Sequence, residues 1–177
     1  MDLRTEKTRR SIINSFMSLR SHKPLEKITV KELAENAEIN KSTFYLHYHD
    51  IYDLSETLER EAVRSILAVI PKPEEIFNES SAFARKLGEA CMANDDVISV
   101  LFEGNRSGNF VSMFEKELMD KIGASCPENI LTLESRMRVT YTIYGGYYTY
   151  SNYRRYGFEN IIDIIENFSD LIIKNKD

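Results

Sequence analysis

Seven of the nine residues from Lys41 to His49 carry a side-chain hydrogen-bond donor: Lys41, Ser42, Thr43, Tyr45, His47, Tyr48 and His49. Only Lys41 among them brings a full charge at neutral pH; the others are hydroxyls and imidazoles. Short donors interleaved with aromatic rings on a short helix suit phosphate oxygens and base edges in a nucleic-acid groove. The bland alternative is a polar surface turn that holds nothing. Metal chemistry is poorly served by the same residues. His47 and His49, two apart on a helix, point about 200° away from each other and do not chelate one ion. The chain also lacks G-x-S-x-G, H-E-x-x-H, a P-loop and G-x-G-x-x-G, so no enzyme, cofactor or metal is expected.

Such a donor set needs elements that present it. Thr29-Val30-Lys31-Glu32 has the form of a capping box and predicts a helix from Val30 with Leu33, Ala34 and Ala37 inward. Asn40 predicts a second cap and a short helix Lys41 to Tyr48 anchored by Phe44. Two short capped helices joined at Ala37-Glu38-Ile39 form a helix-turn-helix, whose second helix is offered outward. Ahead of it, Ile12, Ile13, Phe16, Met17 and Leu19 predict one helix from Met1 to Ser21, ended by His22-Lys23-Pro24. Behind it, Asp50 caps a helix carrying Ile51, Leu54, Leu58, Ala62 and Ile66, and Pro71-Lys72-Pro73 stops that helix. The expected organisation is a head over 1–50, a linking helix over 51–70 and a body over 74–177.

The chain's balance fits that division. The net charge of −5 hides a head with nine Lys/Arg against seven Asp/Glu, so that the acidic excess falls on the rest. A basic head on an acidic body suits a polyanion partner. Only 7 Gly and 4 Pro among 177 residues predict long helices and few turns, an all-α fold. Cys91 and Cys126 are too few for a disulfide framework and read as core thiols. No apolar run approaches membrane length, and a cytoplasmic protein with no membrane partner is expected.

The run Ile39-Asn40-Lys41-Ser42-Thr43-Phe44-Tyr45-Leu46-His47-Tyr48-His49-Asp50-Ile51-Tyr52-Asp53-Leu54, with Thr29 to Ala37 before it, resembles the N-terminal domain of the tetracycline-repressor (TetR) family. The resemblance covers about the first 60 residues. It implies a three-helix DNA-binding domain, a fourth linking helix and a helical body for ligand binding and dimerisation, in a dimeric repressor released from double-stranded operator DNA by a small molecule. By the same resemblance Lys41, Ser42, Tyr45 and Leu46 approach bases, while Thr29, Thr43, His47 and Tyr48 hold phosphates and Phe44 is core. Glu38 stands where the family often has a turn glycine, implying a left-handed glutamate or an altered turn. Ile51 stands where a lysine commonly touches phosphate.

The body reads as a helix from Phe77 to Ala93, a short helix before Gly104, a stripe of Phe110, Phe114, Leu118 and Ile122 closed by Gly123, and a loop Ala124 to Asn129. A long helix from Ile130 to Tyr156 follows, holding seven of the ten tyrosines, and a last helix from Phe158 to Lys174. That last helix has an apolar face wider than one neighbour covers, which predicts a homodimer through the last two helices. Phe83, Leu87, Cys91, Phe102, Arg106, Phe110, Met113, Phe114, Tyr141, Tyr144 and Tyr148 are expected inward, lining an effector cavity. An inward Arg106 calls for an acidic effector, an outward one for a neutral or cationic effector. Control by a partner protein at the body, with no small ligand, is the alternative.

Overall fold

The structure is a computed structural model that describes residues 3–102, 104–126 and 131–174. Every regular element among them is helical: α1 (Leu3–Arg20), α2 (Val30–Asn36), α3 (Lys41–Tyr45), α4 (Ile51–Ala68), α5 (Ser80–Ala93), α6 (Asp95–Leu101), α7 (Ser107–Ser125), α8 (Leu133–Tyr153) and α9 (Phe158–Lys174). By contact the chain divides into two units, Met1–Glu61 with Asp96–Arg106, and Ala62–Asp95 with Ser107–Asp177.

In the first unit α1 packs on α2 and α2 on α3. Ile12 and Phe16 of α1, Leu33 of α2, Phe44 of α3 and Leu54 of α4 are all fully buried. These are the apolar positions whose helical spacing marks the inward faces, and each contributes about 1.5–3 kcal/mol by leaving water.

In the second unit α8 and α9 form an antiparallel hairpin. Arg138, near the start of α8, donates to the Ile172 carbonyl near the end of α9, and Tyr150 meets Phe158 edge-on at 6.2 Å. Gly157, at φ 88°, makes the turn between them, a conformation glycine adopts without a Cβ penalty. α5 lies along α9. The contact is tight at Gly88, where an added Cβ would come within 2.8 Å of Ile162 Cδ1. It is pinned by Arg85, which donates to Glu166, Glu159 and Asp163 on one acidic face of α9. α7 packs on α8 through its buried stripe of Phe110, Phe114, Leu118 and Ile122.

Several boundaries differ from expectation. α3 stops at Tyr45 rather than Tyr48, because the backbone tightens into a turn over Leu46 and His47. Pro73–Phe77 forms a separate 3-10 turn, so α5 opens at Ser80 rather than at Phe77. α7 runs through Gly123 to Ser125: fully buried Ile122 holds its last turn, and the Cys126 amide still reaches the Ile122 carbonyl at 2.8 Å. Gly123 costs that turn only about 1 kcal/mol. α8 ends at Tyr153, after which Arg154–Tyr156 tightens to 3-10 geometry. The expected helix start at Ile130 and the loop residues 127–129 lie outside the described residues.

Candidate functional site

The helix-turn-helix is built from both ends. Thr29 Oγ1 accepts the Glu32 amide at 3.2 Å and so opens α2. The return half of the capping box is not made, because the Glu32 carboxylate takes Lys23 Nζ from the preceding loop, a charge-assisted partner stronger than a backbone amide. At the other end the Ile39 amide donates to Ala34 O at 3.0 Å and the Glu38 amide to Glu35 O at 3.2 Å, the two bonds of a Schellman motif. Glu38 sits in the left-handed region at φ 54°. Ser11 of α1 donates to the Ala37 carbonyl at 2.9 Å and ties the turn to the core.

α3 begins on the carbonyl of Asn40, which accepts the Thr43 and Phe44 amides. The Asn40 side chain makes no cap, contrary to expectation. After α3 the chain is locked by a two-way cap: Asp50 Oδ1 accepts the Asp53 amide and Asp53 Oδ2 accepts the His49 amide, both at 2.8 Å. Between these fixed ends Thr29, Lys41, Ser42, Tyr45, Leu46 and His49 are exposed, and Thr43 and His47 are half-buried. Leu46, at 84% exposure, is an apolar side chain held in water with no intrachain reason.

Tyr48 departs from the expectation of an exposed donor, being only 6% accessible. The early end of α3 swings its ring onto Phe44, with centroids 5.8 Å apart. Burial raises the Tyr48 phenol above its ordinary pKa, and the Arg9 guanidinium beside it offsets part of the rise. Arg9 in turn holds both carboxylate oxygens of Glu61 on α4. Tyr48 therefore supports the turn from behind. Tyr52, in the first turn of α4, is 53% exposed and was not singled out from sequence; its place just after the Asp50 cap was the available signal.

In the second unit Phe83, Phe110 and Phe114 are buried, and Leu87, Cys91, Met113 and Tyr144 are half-buried. Tyr147 packs on Phe110 at 5.6 Å and edge-on against Tyr148 at 5.2 Å. Burial, with the Asp95 charge adding to it, pushes the Cys91 thiol up to about 12. Burial likewise raises the Tyr147 and Tyr150 phenols. Tyr147 was missed as a lining residue, although it lies four residues after buried Ile143, on the same helical face.

The remaining four residues of the expected lining are exposed or belong to the first unit. Tyr141 and Tyr148 on α8 are 67% and 46% exposed, the Tyr148 ring resting edge-on against Tyr147. Phe102 and Arg106 belong by contact to the first unit. There Phe102 is buried, and Arg106 donates from Nε and Nη2 to the two oxygens of fully buried Glu59, at 2.9 and 2.7 Å. Ser55 donates to the same carboxylate at 2.7 Å.

A TetR transcriptional regulator from Rhodococcus sp. RHA1 aligns with the chain at a TM-score of 0.50 and 16% sequence identity, covering 99% of this chain and 100% of that one. The chain has the TetR regulator fold. No family model matches the sequence, and no curated protein matches it. The TetR likeness therefore stands on the course of the helices rather than on shared residues. Among the described residues no helix is long and apolar enough to cross a membrane.

Proposed function

We propose that the protein is a dimeric, sequence-specific DNA-binding transcriptional regulator, acting as a repressor, with residues 1–50 as its DNA-binding head and 51–70 as the linking helix. The carrying observation is α3, set between the Glu38 turn and the Asp50–Asp53 cap of α4, with Lys41, Ser42 and Tyr45, and Leu46 just after it, facing solvent. Lys41 and Ser42 supply donors for base edges, and Leu46 offers an apolar contact to a thymine methyl. Thr29, Thr43, His47 and His49 lie around them as phosphate donors, and Tyr48 drops out of that set. The TetR fold supports the same reading.

Dimerisation through α8 and α9 is supported by two apolar stripes. Ile164, Phe168 and Leu171 of α9, at i, i+4 and i+7, are each more than half exposed. Met137, Tyr141 and Tyr148 make a second stripe on α8. Gly145 lies between Tyr141 and Tyr148, and an added Cβ there would meet nothing within 4 Å, which leaves room for a second backbone. A second copy is the economical cover for both stripes.

In the body, residues 74–177, the half-buried Cys91, Met113, Tyr144 and Tyr147 among buried phenylalanines favour a small aromatic effector. Arg106 pairs with Glu59 and so makes no demand for an acidic ligand, and a neutral or cationic effector is expected.

The test begins with a duplex selected by the protein from random sequence. Lys41→Ala and Tyr45→Ala are each expected to weaken its binding by about 1–3 kcal/mol in an anisotropy titration. Unchanged affinity in both variants would remove α3 from the interface. Release of the duplex by neutral or cationic aromatic compounds, weakened in Tyr144→Phe, tests the effector; release by none of them would favour control by a partner protein.

A further inference from the structure

The outward face of α8 carries a row of residues nearly symmetric about its centre. Glu134, Met137, Tyr141, Gly145, Tyr148 and Asn152 are all exposed, and at about 100° per residue they fall within one sector of about 80°. Arg155 follows in the 3-10 turn that ends the helix and is exposed as well. Tyr141 and Tyr148 stand four residues before Gly145 and three after it, and Glu134 and Arg155 stand eleven before and ten after. The row is acidic at its start, basic at its end and aromatic on both sides of a glycine. We propose that α8 packs antiparallel on α8 of a second copy, with the two-fold axis beside Gly145, so that Tyr141 of each chain meets Tyr148 of the other and Glu134 meets Arg155. The proposal rests on the dimer reading above and adds to it the axis, the helix direction and the charge pairs at the rim.

Both charges are open to a partner. Arg138 donates from Nε and Nη2 to Glu134 Oε1 alone, and Glu134 Oε2 accepts no hydrogen bond from a described residue. The Glu134 side chain is 73% exposed. Arg155 has no carboxylate partner among the described residues. Its guanidinium lies 4.9 Å over the Tyr156 ring and donates to the Tyr156 hydroxyl at 3.0 Å, which holds it at the end of α8. A parallel pair of helices would set like charges against each other at both ends. The antiparallel pair sets unlike charges together at both ends, and that complementarity is what selects a second copy as the occupant.

Gly145 decides the centre. An added Cβ there would meet nothing within 4 Å, so the packing of its own chain does not call for a glycine. It nevertheless costs the helix about 1 kcal/mol. A bare backbone at that point admits a second helix at or inside the usual spacing of about 8–10 Å. Tyr141, and Tyr148 resting edge-on against Tyr147, then flank the crossing with rings already half or more exposed. Each contact occurs twice, as an isologous interface requires.

The test is oxidative crosslinking of the full chain, with each disulfide located by peptide mass mapping, alongside sedimentation of the unmodified protein. Tyr141→Cys and Tyr148→Cys, mixed and allowed to exchange subunits, are expected to form a disulfide between the two positions, and Gly145→Cys a disulfide to its own copy. Tyr141→Cys alone should form none, because its two copies stand about 10 Å apart along the helix axes, beyond the roughly 7 Å that a disulfide spans. Glu134→Arg and Arg155→Glu should each weaken the dimer by roughly tenfold, and the double variant should recover the wild-type affinity. Recovery separates the contact between copies from the Glu134–Arg138 pair within one chain, which the double variant also lacks. A stable dimer with no crosslink between positions 141 and 148 would overturn the α8 pairing and leave the dimer reading in place, as would a double variant no tighter than the single ones. A monomer at micromolar concentration would remove both.

Discussion

Glu38 shows how a single residue carries the geometry of the recognition turn. A left-handed conformation costs a non-glycine residue about 1–2 kcal/mol, and the Schellman bonds on either side of it hold Glu38 there. Glu38→Gly is therefore expected to raise stability by about 0.5–1 kcal/mol, net of glycine's greater freedom in the unfolded chain, measured as a higher urea midpoint. A lower midpoint would mean that the glutamate side chain makes a compensating contact. The left-handed turn was one of the two outcomes that the family resemblance implied, because Glu38 stands where a turn glycine is common. The burial of Tyr48 was not legible in the sequence, because it depends on where α3 unwinds, and no side chain marks that point. The direction of Arg106 was equally hidden. Its partner Glu59 lies 47 residues earlier, and no local pattern links the two.

At the scale of elements, α9 was the most legible, with both ends and the wide apolar face written in its spacing. Its acidic side was not, because Glu159, Asp163, Glu166 and Asp170 become a docking edge only when α5 arrives from more than 70 residues away. Asp170 closes that edge. It accepts Ser80 Oγ and the Ser81 amide at the N-terminus of α5 and pairs with Lys174. The Ser80 hydrogen bond and Lys174 lower the Asp170 pKa below the ordinary carboxylate value. A lowered folded-state pKa adds stability above the unfolded value of about 3.9, and that stability is lost as pH falls through the folded value. Asp170→Asn is thus expected to cost about 1 kcal/mol or less at pH 7, since the side chain is partly open to solvent screening. The difference from wild type should shrink as pH falls below the unfolded value of about 3.9 and vanish once pH is below the folded value. A deficit that persisted there would assign the effect to packing rather than to charge.

For the whole molecule, the exposed stripes of α8 and α9 and the exposed donors of α3 belong to different units, and the proposed dimer gives both a use. A two-fold dimer presents two α3 helices to two half-sites, about one helical turn apart or more. Phe168→Glu, at an exposed position, should leave the monomer folded and lower the sedimentation mass from two chains to one at micromolar concentration. A variant that stays dimeric would move the interface off α9. The central claim is tested most directly by titrating a duplex selected from random sequence, and its scrambled counterpart, over a range of salt. The account predicts two chains per selected duplex, a preference of about 10³ or more over the scrambled one at moderate salt, and an affinity that falls steeply as salt rises. Equal affinity for the two duplexes at every salt concentration would contradict it.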